Sequence, residues 1–355
     1  MKRMLLILTA AAGLFGCSNG NESPTEEGAD SQSNPSGDAE VITDELDIPW
    51  NIVRYNDVFY IAERPGAVVK VEAGESERQD IDLEETVSTA SEAGLLGFVL
   101  APDFDSSNEA YAYYTYENNE GQFNRIVTVE YVDDRWEERT VLLDDIPSGS
   151  VHHGGRLEIG PDEKLYATTG DAADPDTAQD MESLGGKILR MNLDGTVPDD
   201  NPFDDSLVYS YGHRNPQGLT WLPDDSMYAS EHGDNANDEI NLIEAGGNYG
   251  WPEIEGDETE DGMETPLFTS GSDYTWAPSG MDNDGERLFT AALRGNAVLE
   301  FNLEETSPTE LVTDYGRVRD VYIEEDELFF ITNNLDGRGD GEPDDDKLYR
   351  ISLTE

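Results

Sequence analysis

The sequence predicts an all-β fold, a six-bladed β-propeller whose blades are four-stranded antiparallel sheets. The main observation is a hairpin pattern that occurs six times. Each copy has an apolar-alternating run, a turn bearing Asp, Gly or Asn, and a second run rich in Tyr, Phe, Leu and Thr, which is typical of a β-hairpin. Successive copies begin 40 to 62 residues apart. That spacing accommodates one four-stranded sheet with its loops, and such repetition indicates a propeller.

The six copies predict where the scarce histidines and arginines of the chain lie relative to the hairpins. In order they read NIVRYNDVFYIAER, LGFVLAPDF with AYAYYTYE, RLEIGPDEKLYATTGD, GLTWLPDDSMYASEHG, GMDNDGERLFTAALRG and DVYIEEDELFFITNN. The residue before the first strand of a hairpin and the residue after the second lie at the open end, opposite the turn. Residues at or beside these open ends are His152, Asp171, Arg214, Gly233, Arg294, Arg317 and Arg319. Blades around one axis would bring them to one face, although the pattern alone leaves open that they scatter over the rim.

The chain is strongly acidic. Its 355 residues carry a formal net charge of −58, from 79 acidic and 21 basic residues. This excess repels nucleic acid and anionic membranes, and at low salt it destabilises the compact state. Because the acids are spread along the whole chain, we favour adaptation to concentrated salt, a halophilic protein, over an acidic protein that binds cations or basic partners.

The N-terminus is predicted to be an export signal over residues 1–17. Lys2 and Arg3 precede an apolar run too short to cross a membrane as a helix, and the run ends at Cys17, the only cysteine. This end resembles a lipoprotein signal peptide. Residues 18–40 read as a disordered acidic linker and residues 41–355 as the propeller domain. We therefore expect an exported protein, periplasmic or extracellular or on the outer face of the cytoplasmic membrane, whose only membrane contact is a lipid anchor.

Cationic side chains are scarce, so their positions are informative. Arg214, Arg294, Arg317 and Arg319 all fall at predicted open ends. Guanidinium groups that face one another are costly unless an anion lies among them. Taken singly, each is explained by an ion pair with one of the many carboxylates. Taken together, they favour an anionic ligand.

The four histidines, His152, His153, His213 and His232, also fall at open ends. An imidazole beside a carboxylate such as Asp171 would have a defined tautomer and raised basicity, as a general base requires. A structural role is the alternative for any one of them. Their spacing does not match the two-histidine helix of zinc enzymes.

The stretch EHGDNANDEINLIEAGGNYGWP offers oxygen ligands. Glu231, Asp234, Asp238 and Glu239, with loop carbonyls between glycines, suit Ca²⁺ without the spacing of an EF-hand. In a chain this acidic, a solvated Asp-rich loop is the alternative. The residues by themselves leave both interpretations open.

Several long motifs occur in an order that resembles one family. EAGLLGFVLAPDF, HHGGRLEIGPDEKLYATTGD, GGKILRMNLDGTVPDDNPF, YGHRNPQGL, DEINLIEAGGNYGWP and GRVRDV are similar to motifs of the soluble quinoprotein glucose/sorbosone dehydrogenases, which include the aldose sugar dehydrogenases. The resemblance covers roughly Asp47 to the C-terminus. It implies a six-bladed propeller that oxidises aldose sugars at C1 to the lactone with pyrroloquinoline quinone (PQQ) and calcium, and passes the electrons to an unidentified acceptor.

The resemblance also implies residue roles. His152 is similar to the general base, Asp171 to its orienting carboxylate, and Arg214 to the group that contacts the reactive quinone carbonyl. The implied cofactor-binding residues are Glu92, Arg214, Asn215, Gln217, Arg294, Arg317 and Arg319. The implied metal ligands are the carbonyls of Gly233 and Asp234 for a catalytic calcium, and Glu239 with the Tyr249 carbonyl for a structural calcium.

Three positions depart from the family pattern. Glu92 stands where some members have Gln, Val151 where the glucose-specific branch has Asp, and Arg294 where Lys is common. The stretch TWAPSGMD is short, so we expect an open pocket, and the resemblance does not carry over a preferred sugar. A calcium-dependent propeller hydrolase such as a lactonase is one alternative function, and a non-catalytic surface-binding propeller is another.

Overall fold

Antiparallel strands make up nearly all the regular structure in the computed structural model, which describes residues 39–342 and 344–354. Within that range the only helices are the α-helix α1 (Phe104–Ser107) and a 3₁₀-helix (Pro175–Ala178). No helix in the described part of the chain has the length and hydropathy needed to cross a membrane. The predicted signal segment 1–17 and linker residues 18–38 lie outside the described residues.

The described residues form 24 strands. The first nine are β1 (Glu40–Thr43), β2 (Pro49–Tyr55), β3 (Val58–Glu63), β4 (Ala67–Glu72), β5 (Glu75–Asp82), β6 (Leu95–Leu100), β7 (Glu109–Asn118), β8 (Gly121–Val132) and β9 (Arg135–Pro147). The next eight are β10 (Leu157–Ile159), β11 (Leu165–Thr169), β12 (Lys187–Met191), β13 (Val208–Tyr211), β14 (Pro216–Trp221), β15 (Met227–Glu231), β16 (Glu239–Ile243) and β17 (Phe268–Thr269). The last seven are β18 (Pro278–Asn283), β19 (Arg287–Ala292), β20 (Ala297–Asn302), β21 (Thr309–Val312), β22 (Val318–Glu324), β23 (Glu327–Thr332) and β24 (Leu348–Ser352).

These strands assemble into four-stranded antiparallel units. Strands β10 to β13, β14 to β17 and β18 to β21 each form one sheet, and β1 joins the last three strands in the order β1-β24-β23-β22. Strands β2 to β9 form an eight-stranded sheet, in which two such units are joined by a short parallel pairing of Ile81 with Trp136. The prediction of an all-β fold built from four-stranded antiparallel units is confirmed.

Each of the six predicted hairpins forms: β2–β3, β6–β7, β10–β11, β14–β15, β18–β19 and β22–β23 are antiparallel pairs. The turn chemistry explains several of them. Asn56 takes φ = 54° between β2 and β3, and Asp225 takes φ = 67° between β14 and β15. Asn and Asp tolerate this left-handed conformation better than other non-glycine residues.

Aromatic and aliphatic side chains fill the space between strands. Phe98 on β6 packs edge-on against Trp136 on β9 at 4.9 Å between ring centroids, and Phe268 on β17 packs against Phe301 on β20 at 5.0 Å. Burying each such ring contributes roughly 1.5–3 kcal/mol. The first strands of the hairpins also contact one another, since β2 contacts β6 and β22, and β18 contacts β14 and β22. This packing brings the first strands of neighbouring units together.

Candidate active site

The open ends of the hairpins surround a cavity of about 180 Å³. Predicted site residues in its wall are Glu92, His152, Arg214, Asn215, Gly233, Asp234, Arg294 and Arg317. An adjoining cavity of about 30 Å³ is lined by Gln217 and Arg319 and shares Glu92, His232 and Arg338 with the larger one. The structure therefore gathers the predicted cofactor-binding residues around two neighbouring spaces.

His152 and Asp171 form a hydrogen-bonded pair. His152 Nδ1 lies 2.7 Å from Asp171 Oδ1, and the Asp171 side chain is buried. Oδ1 also accepts the Ala173 amide at 2.9 Å, and Oδ2 accepts the indole N–H of Trp251 at 2.9 Å. Because an ionised carboxylate only accepts hydrogen bonds, His152 carries its proton on Nδ1. Its Nε2 then has a free lone pair, which is the state that a general base needs.

The backbone around His152 is unusual. His152 has φ = 63°, in the left-handed region that non-glycine residues seldom occupy. A Cβ on Gly170 would lie 2.0 Å from the His152 carbonyl oxygen, so only glycine permits this close approach. The glycine that precedes Asp171 therefore allows the two loops to meet, and the His152 backbone stores local strain of a kind common at functional sites.

Two of the clustered arginines have carboxylate partners. Arg214 Nη2 lies 3.1 Å from Asp234 Oδ1, and Arg317 Nη2 lies 2.7 Å from Asp336 Oδ2. Both guanidinium groups are largely buried. Arg214 also stands over the ring of Trp251, with its guanidinium carbon 5.2 Å from the ring centroid, a favourable cation–π contact.

Arg319 is buried without a carboxylate partner in the described part of the chain. Its Nη1 donates to Gln217 Oε1 at 3.0 Å and to Ser279 Oγ at 3.3 Å. Burial, and the neighbouring positive charges of Arg64 and Arg317, lower the pKa of Arg319. A buried cation with only neutral acceptors is unfavourable in the free protein.

Nitrogen atoms around the cavities lack hydrogen-bond partners within the described residues. They are Nε of Arg214, Arg317 and Arg319, and Nε2 of His153 and His232. Burial lowers the pKa of both His153 and His232 to about 4, so both are neutral near pH 7. Leaving a buried polar group unpaired costs roughly 1–3 kcal/mol. The three guanidinium N–H groups therefore indicate a ligand with acceptor oxygens.

Two predicted cofactor-binding residues differ from the buried arginines: Arg294 is exposed, and Glu92 is an acid with its own partners. Arg294 is exposed at the rim, and its guanidinium has no hydrogen bond or ion pair in the part of the chain described. Glu92 accepts the His152 amide at 3.1 Å and pairs with Arg338 at 2.7 Å. Burial alone would raise the pKa of Glu92, but these two contacts lower it to about 2.

His213 is packed in the interior and does not line the cavity. It is fully buried, with Nδ1 2.8 Å from Glu231 Oε2 and Nε2 2.8 Å from Ser210 Oγ. Glu231 Oε1 accepts the amides of Arg214 and Asn215. The His213–Glu231 pair therefore orients the loop that carries two predicted cofactor-binding residues.

Gly233 and Asp234, which are predicted to bind a catalytic calcium, lie in the cavity wall. The Gly233 amide donates to Asp238 Oδ1 at 3.0 Å, and the carbonyl oxygen of Asp234 lies 3.5 Å from Arg214 Nη2. The other Asp238 oxygen accepts the Trp276 amide at 2.6 Å, so Asp238 ties the loop to its neighbour. Across residues 39–342 and 344–354, no group of three or more His, Cys, Asp and Glu side chains is placed to hold a metal ion.

The residues predicted for a structural calcium line a separate small cavity. The carboxylate of Glu239 accepts the Gly256 amide at 2.8 Å and the Asn241 side-chain amide at 3.0 Å. Burial, together with the nearby Glu231, raises the pKa of Glu239 to about 8. Tyr249 lies in the same wall.

A larger cavity of about 420 Å³ lies at the turn ends of the same strands. Arg54, Glu158, Asp282 and Tyr322 are in its wall, and none of the predicted site residues is. Size therefore does not identify the candidate active site here; the side-chain chemistry does.

With this geometry established, comparison with known proteins decides the family. The glucose/sorbosone dehydrogenase family model matches residues 46–349. The chain belongs to the glucose/sorbosone dehydrogenase family. The resemblance inferred from the motifs is thus confirmed. The prediction that the protein is an oxidoreductase is confirmed as well, because its relatives are glucose and aldose sugar dehydrogenases.

Two curated relatives show how far the likeness extends. Aldose sugar dehydrogenase YliI of Escherichia coli is 31% identical over 339 residues, covering 84% of this chain and 90% of that protein. Quinoprotein glucose dehydrogenase B of Acinetobacter calcoaceticus is 36% identical over 240 residues, covering 58% of this chain and 50% of that protein. The aligned part of this family member thus spans only half the length of glucose dehydrogenase B.

A solved structure agrees with both. The PQQ-bound form of an aldose sugar dehydrogenase from Streptomyces coelicolor superposes with a TM-score of 0.82 at 35% identity, covering 90% of this chain and 99% of that one. This glucose/sorbosone dehydrogenase family member therefore shares its fold, along 90% of its chain, with an aldose sugar dehydrogenase that was solved in its PQQ-bound form.

Sequence reasoning missed the contacts that three residues make at the site. It gave no role to Trp251, whose presence in GGNYGWP was the only signal, nor to Arg338 in the acidic stretch NNLDGRGDGEPDDD. It considered Glu231 as a cation ligand, whereas the structure pairs it with His213. The contacts of Trp251 and Arg338 join loops that are distant in the chain, so spacing along the sequence does not reveal them. Glu231 and His213 flank the same hairpin, but the hairpin pattern does not specify which side chains pair there.

Proposed function

We propose that this protein is a PQQ- and calcium-dependent aldose dehydrogenase that oxidises sugars at C1 to the lactone and passes the electrons to an external acceptor. The observation that carries the proposal is that the His152–Asp171 pair lies beside buried guanidinium N–H groups that have no hydrogen-bond partner among the described residues. The pair provides a base, and the guanidinium groups provide a site for an anion.

The residues present fit PQQ, which carries carboxylates. Arg317 and Arg319 are the buried cations available to hold them, with Arg294 at the rim. Asn215 and Gln217 lie beside these arginines as neutral polar contacts. When bound, PQQ supplies the quinone that accepts a hydride.

The chain's own residues would prepare the sugar for that transfer. His152 Nε2 takes the proton of the hydroxyl on C1, while Asp171 keeps the other ring nitrogen protonated and stabilises the imidazolium. Arg214 would direct a positive charge at the quinone carbonyl oxygen, where negative charge develops. General-base assistance of this kind is worth about 10²–10⁴-fold in rate.

Two calcium sites are part of the proposal. The carbonyl oxygens of Gly233 and Asp234 are hard donors in the cavity wall beside Arg214, and a calcium ion there would add positive charge next to the quinone. Glu239 and the Tyr249 carbonyl are proposed to hold a second, structural ion. Glu255 lies in the wall of the same cavity, and its buried Oε2 has no hydrogen-bond partner in the described part of the chain, which supports a cation there.

The proposed architecture is a six-bladed propeller over residues 41–355. The four four-stranded sheets and the two halves of the eight-stranded sheet are the proposed blades. Contact of β22 with β2 supports closure of the ring. We further propose export and lipid anchoring at Cys17, to be checked by labelled fatty-acid incorporation into the natural chain but not into Cys17→Ser.

Reconstitution tests the proposed activity. The purified protein, stripped of metal with a chelator, is given PQQ and Ca²⁺ together or singly in molar salt, and dye reduction is followed with several aldoses. Dye reduction that requires both additions is the expected result. Absence of reduction with any aldose, or hydrolysis of a sugar lactone without PQQ, would overturn the proposal, the latter in favour of a propeller lactonase.

A further inference from the structure

The Trp251 side chain contacts both Asp171 and Arg214. Its indole Nε1 donates to Asp171 Oδ2 at 2.9 Å, and its ring lies 5.2 Å from the guanidinium carbon of Arg214. We propose that Trp251 is a positioning residue that holds the carboxylate of Asp171 toward His152 and the guanidinium of Arg214 toward the cavity. This inference deepens the proposed function and rests on it for its effect on catalysis.

The hydrogen bonds of Asp171 show why one indole matters. Oδ1 accepts from His152 Nδ1 and from the Ala173 amide, whereas Trp251 is the only protein donor to Oδ2 among the described residues. The carboxyl group is buried, so water does not readily replace a lost donor. Without the indole N–H, the carboxylate is free to rotate in search of another partner, because its terminal torsion is soft.

Rotation of Asp171 would change the protonation pattern of His152. The proton stays on Nδ1 only while a carboxylate oxygen faces that nitrogen, and Nε2 is a base only in that tautomer. Trp251 thus acts on the base through Asp171 and does not touch the reacting atoms.

The same ring locates the cation. The face of an indole attracts a guanidinium, and the one carboxylate that the Arg214 guanidinium contacts among the described residues is Asp234. The Asp171 amide also donates to the Arg214 carbonyl at 2.8 Å, so the backbones of the two residues are joined as well. Trp251 adds a side-chain link to this backbone link.

Trp251 is itself held from two sides. Its amide donates to the Gly212 carbonyl at 2.9 Å, and its carbonyl accepts the side-chain amide of Gln179 at 2.8 Å. The indole therefore projects from an anchored stretch of backbone, as a residue that positions others requires.

Trp251→Phe separates the two contacts, since it removes the N–H and keeps a ring for Arg214. Trp251→Leu removes both. A third variant with benzothienylalanine at position 251 keeps the size of the indole but replaces the N–H by sulfur, and so excludes loss of packing as the cause. Trp221→Phe is the matched control, because Trp221 lies at the turn end of β14, in the wall of the other cavity.

The first readout is the ring nitrogen spectrum of ¹⁵N-histidine-labelled full-length protein without added PQQ. The chain has only four histidines, and His152→Ala identifies the His152 signals. We expect the natural protein and Trp221→Phe to show the Nδ1–H tautomer at His152. Trp251→Phe and the benzothienylalanine variant should show a mixture of tautomers. An unchanged His152 spectrum in the folded benzothienylalanine variant would overturn the inference.

The second readout is the reconstituted enzyme. We expect kcat of Trp251→Phe to fall about 10- to 100-fold with KM little changed, a typical effect of losing a supporting hydrogen bond, and kcat of Trp251→Leu to fall further. Equal kcat in Trp251→Phe and the natural enzyme would overturn the catalytic part. If the natural protein shows no PQQ-dependent activity but the tautomer change occurs, the proposed function fails while the positioning role stands.

Discussion

Arg338 and Glu92 form an ion pair of 2.7 Å at the candidate active site, although 246 residues separate them in the chain. Glu92 also accepts the His152 amide at 3.1 Å. The pair therefore joins the loop after β23 to the loop that carries the proposed base. It also neutralises the negative charge of Glu92 in a cavity proposed to take an anion.

The first prediction concerns this charge balance. Arg338→Gln should weaken PQQ binding about tenfold, because it leaves Glu92 uncompensated next to the anionic ligand, and interaction energies of neighbouring charges are about 0.5–3 kcal/mol. In a Glu92→Gln background the same change should have little effect. Binding titrations of the four proteins measure this coupling. Equal losses of affinity in both backgrounds would contradict it.

The second prediction concerns the proposed base. His152→Ala should lower kcat by about 10²–10⁴-fold, since the hydroxyl proton has no acceptor. PQQ affinity and the melting temperature should stay close to those of the natural protein, because His152 lies at the cavity wall and not in the core. Steady-state kinetics and calorimetry measure these quantities, and turnover that survives the substitution would reject the assignment.

The third prediction separates buried from exposed arginines. Arg319→Met should raise the melting temperature of the PQQ-free protein, because it removes a buried cation that has only neutral acceptors. The same variant should bind PQQ about 10- to 100-fold more weakly, the loss expected for a charge-assisted hydrogen bond of about 1.5–3 kcal/mol.

Arg294→Met is the matched control for Arg319→Met. Its guanidinium is exposed at the rim, so the melting temperature should not change, although PQQ affinity falls. Thermal melts and PQQ titrations of both variants make the comparison. A lower melting temperature in Arg319→Met would show that the cation stabilises the free protein and would refute the prediction.

The fourth prediction uses a carboxyl group far from the proposed chemistry. Glu158 lies in the wall of the cavity at the turn ends, and burial of its carboxyl group raises its pKa from 4.5 to about 8. The folded state thus binds a proton that the unfolded state has released. The contribution of Glu158 to stability is fully present below pH 4.5 and is lost as the pH rises toward 8.

Glu158→Gln should remove this loss. We expect its melting temperature to exceed that of the natural protein at pH 9, by on the order of a few degrees, and to match it near pH 4. Glu163→Gln, at an exposed turn residue of the same hairpin, is the control and should show no such pH dependence. Melts across this pH range test it, and parallel curves for Glu158→Gln and the natural protein would exclude the effect.

The fifth prediction follows from the net charge of −58. The screening length falls from about 10 Å in about 0.1 M salt to about 3 Å in about 1 M salt. Repulsion among surface carboxylates should therefore weaken, and the melting temperature should rise over this interval. Thermal melts in NaCl and KCl measure the change. A melting temperature that stays level or falls would argue against adaptation to concentrated salt.

Much of the fold was predictable because it is local. Alternating apolar residues and the turn residues Asn56 and Asp225 specify hairpins within a dozen residues, and all six predicted hairpins form. The short parallel pairing of Ile81 with Trp136 was not predictable, because it joins residues whose approach depends on the packing of two whole units.

The positions of the main site residues were also predictable, but some of their contacts were not. Motifs placed His152, Asp171 and Arg214 at open hairpin ends, and the structure brings them together. The contacts of Trp251 and Arg338 were not anticipated, since Trp251 lies 80 residues from Asp171 in the chain. No local pattern specifies such a pairing.

By itself, the amino-acid sequence determined the hairpins, the family and the scarcity of cations, since each is a property of short segments or of composition. Only the tertiary structure decided which arginine nitrogens are buried without partners and which carboxylates are neutralised by distant loops. The physical reason is that desolvation and ion pairing depend on which loops meet in space, and these loops meet only after the sheets have packed.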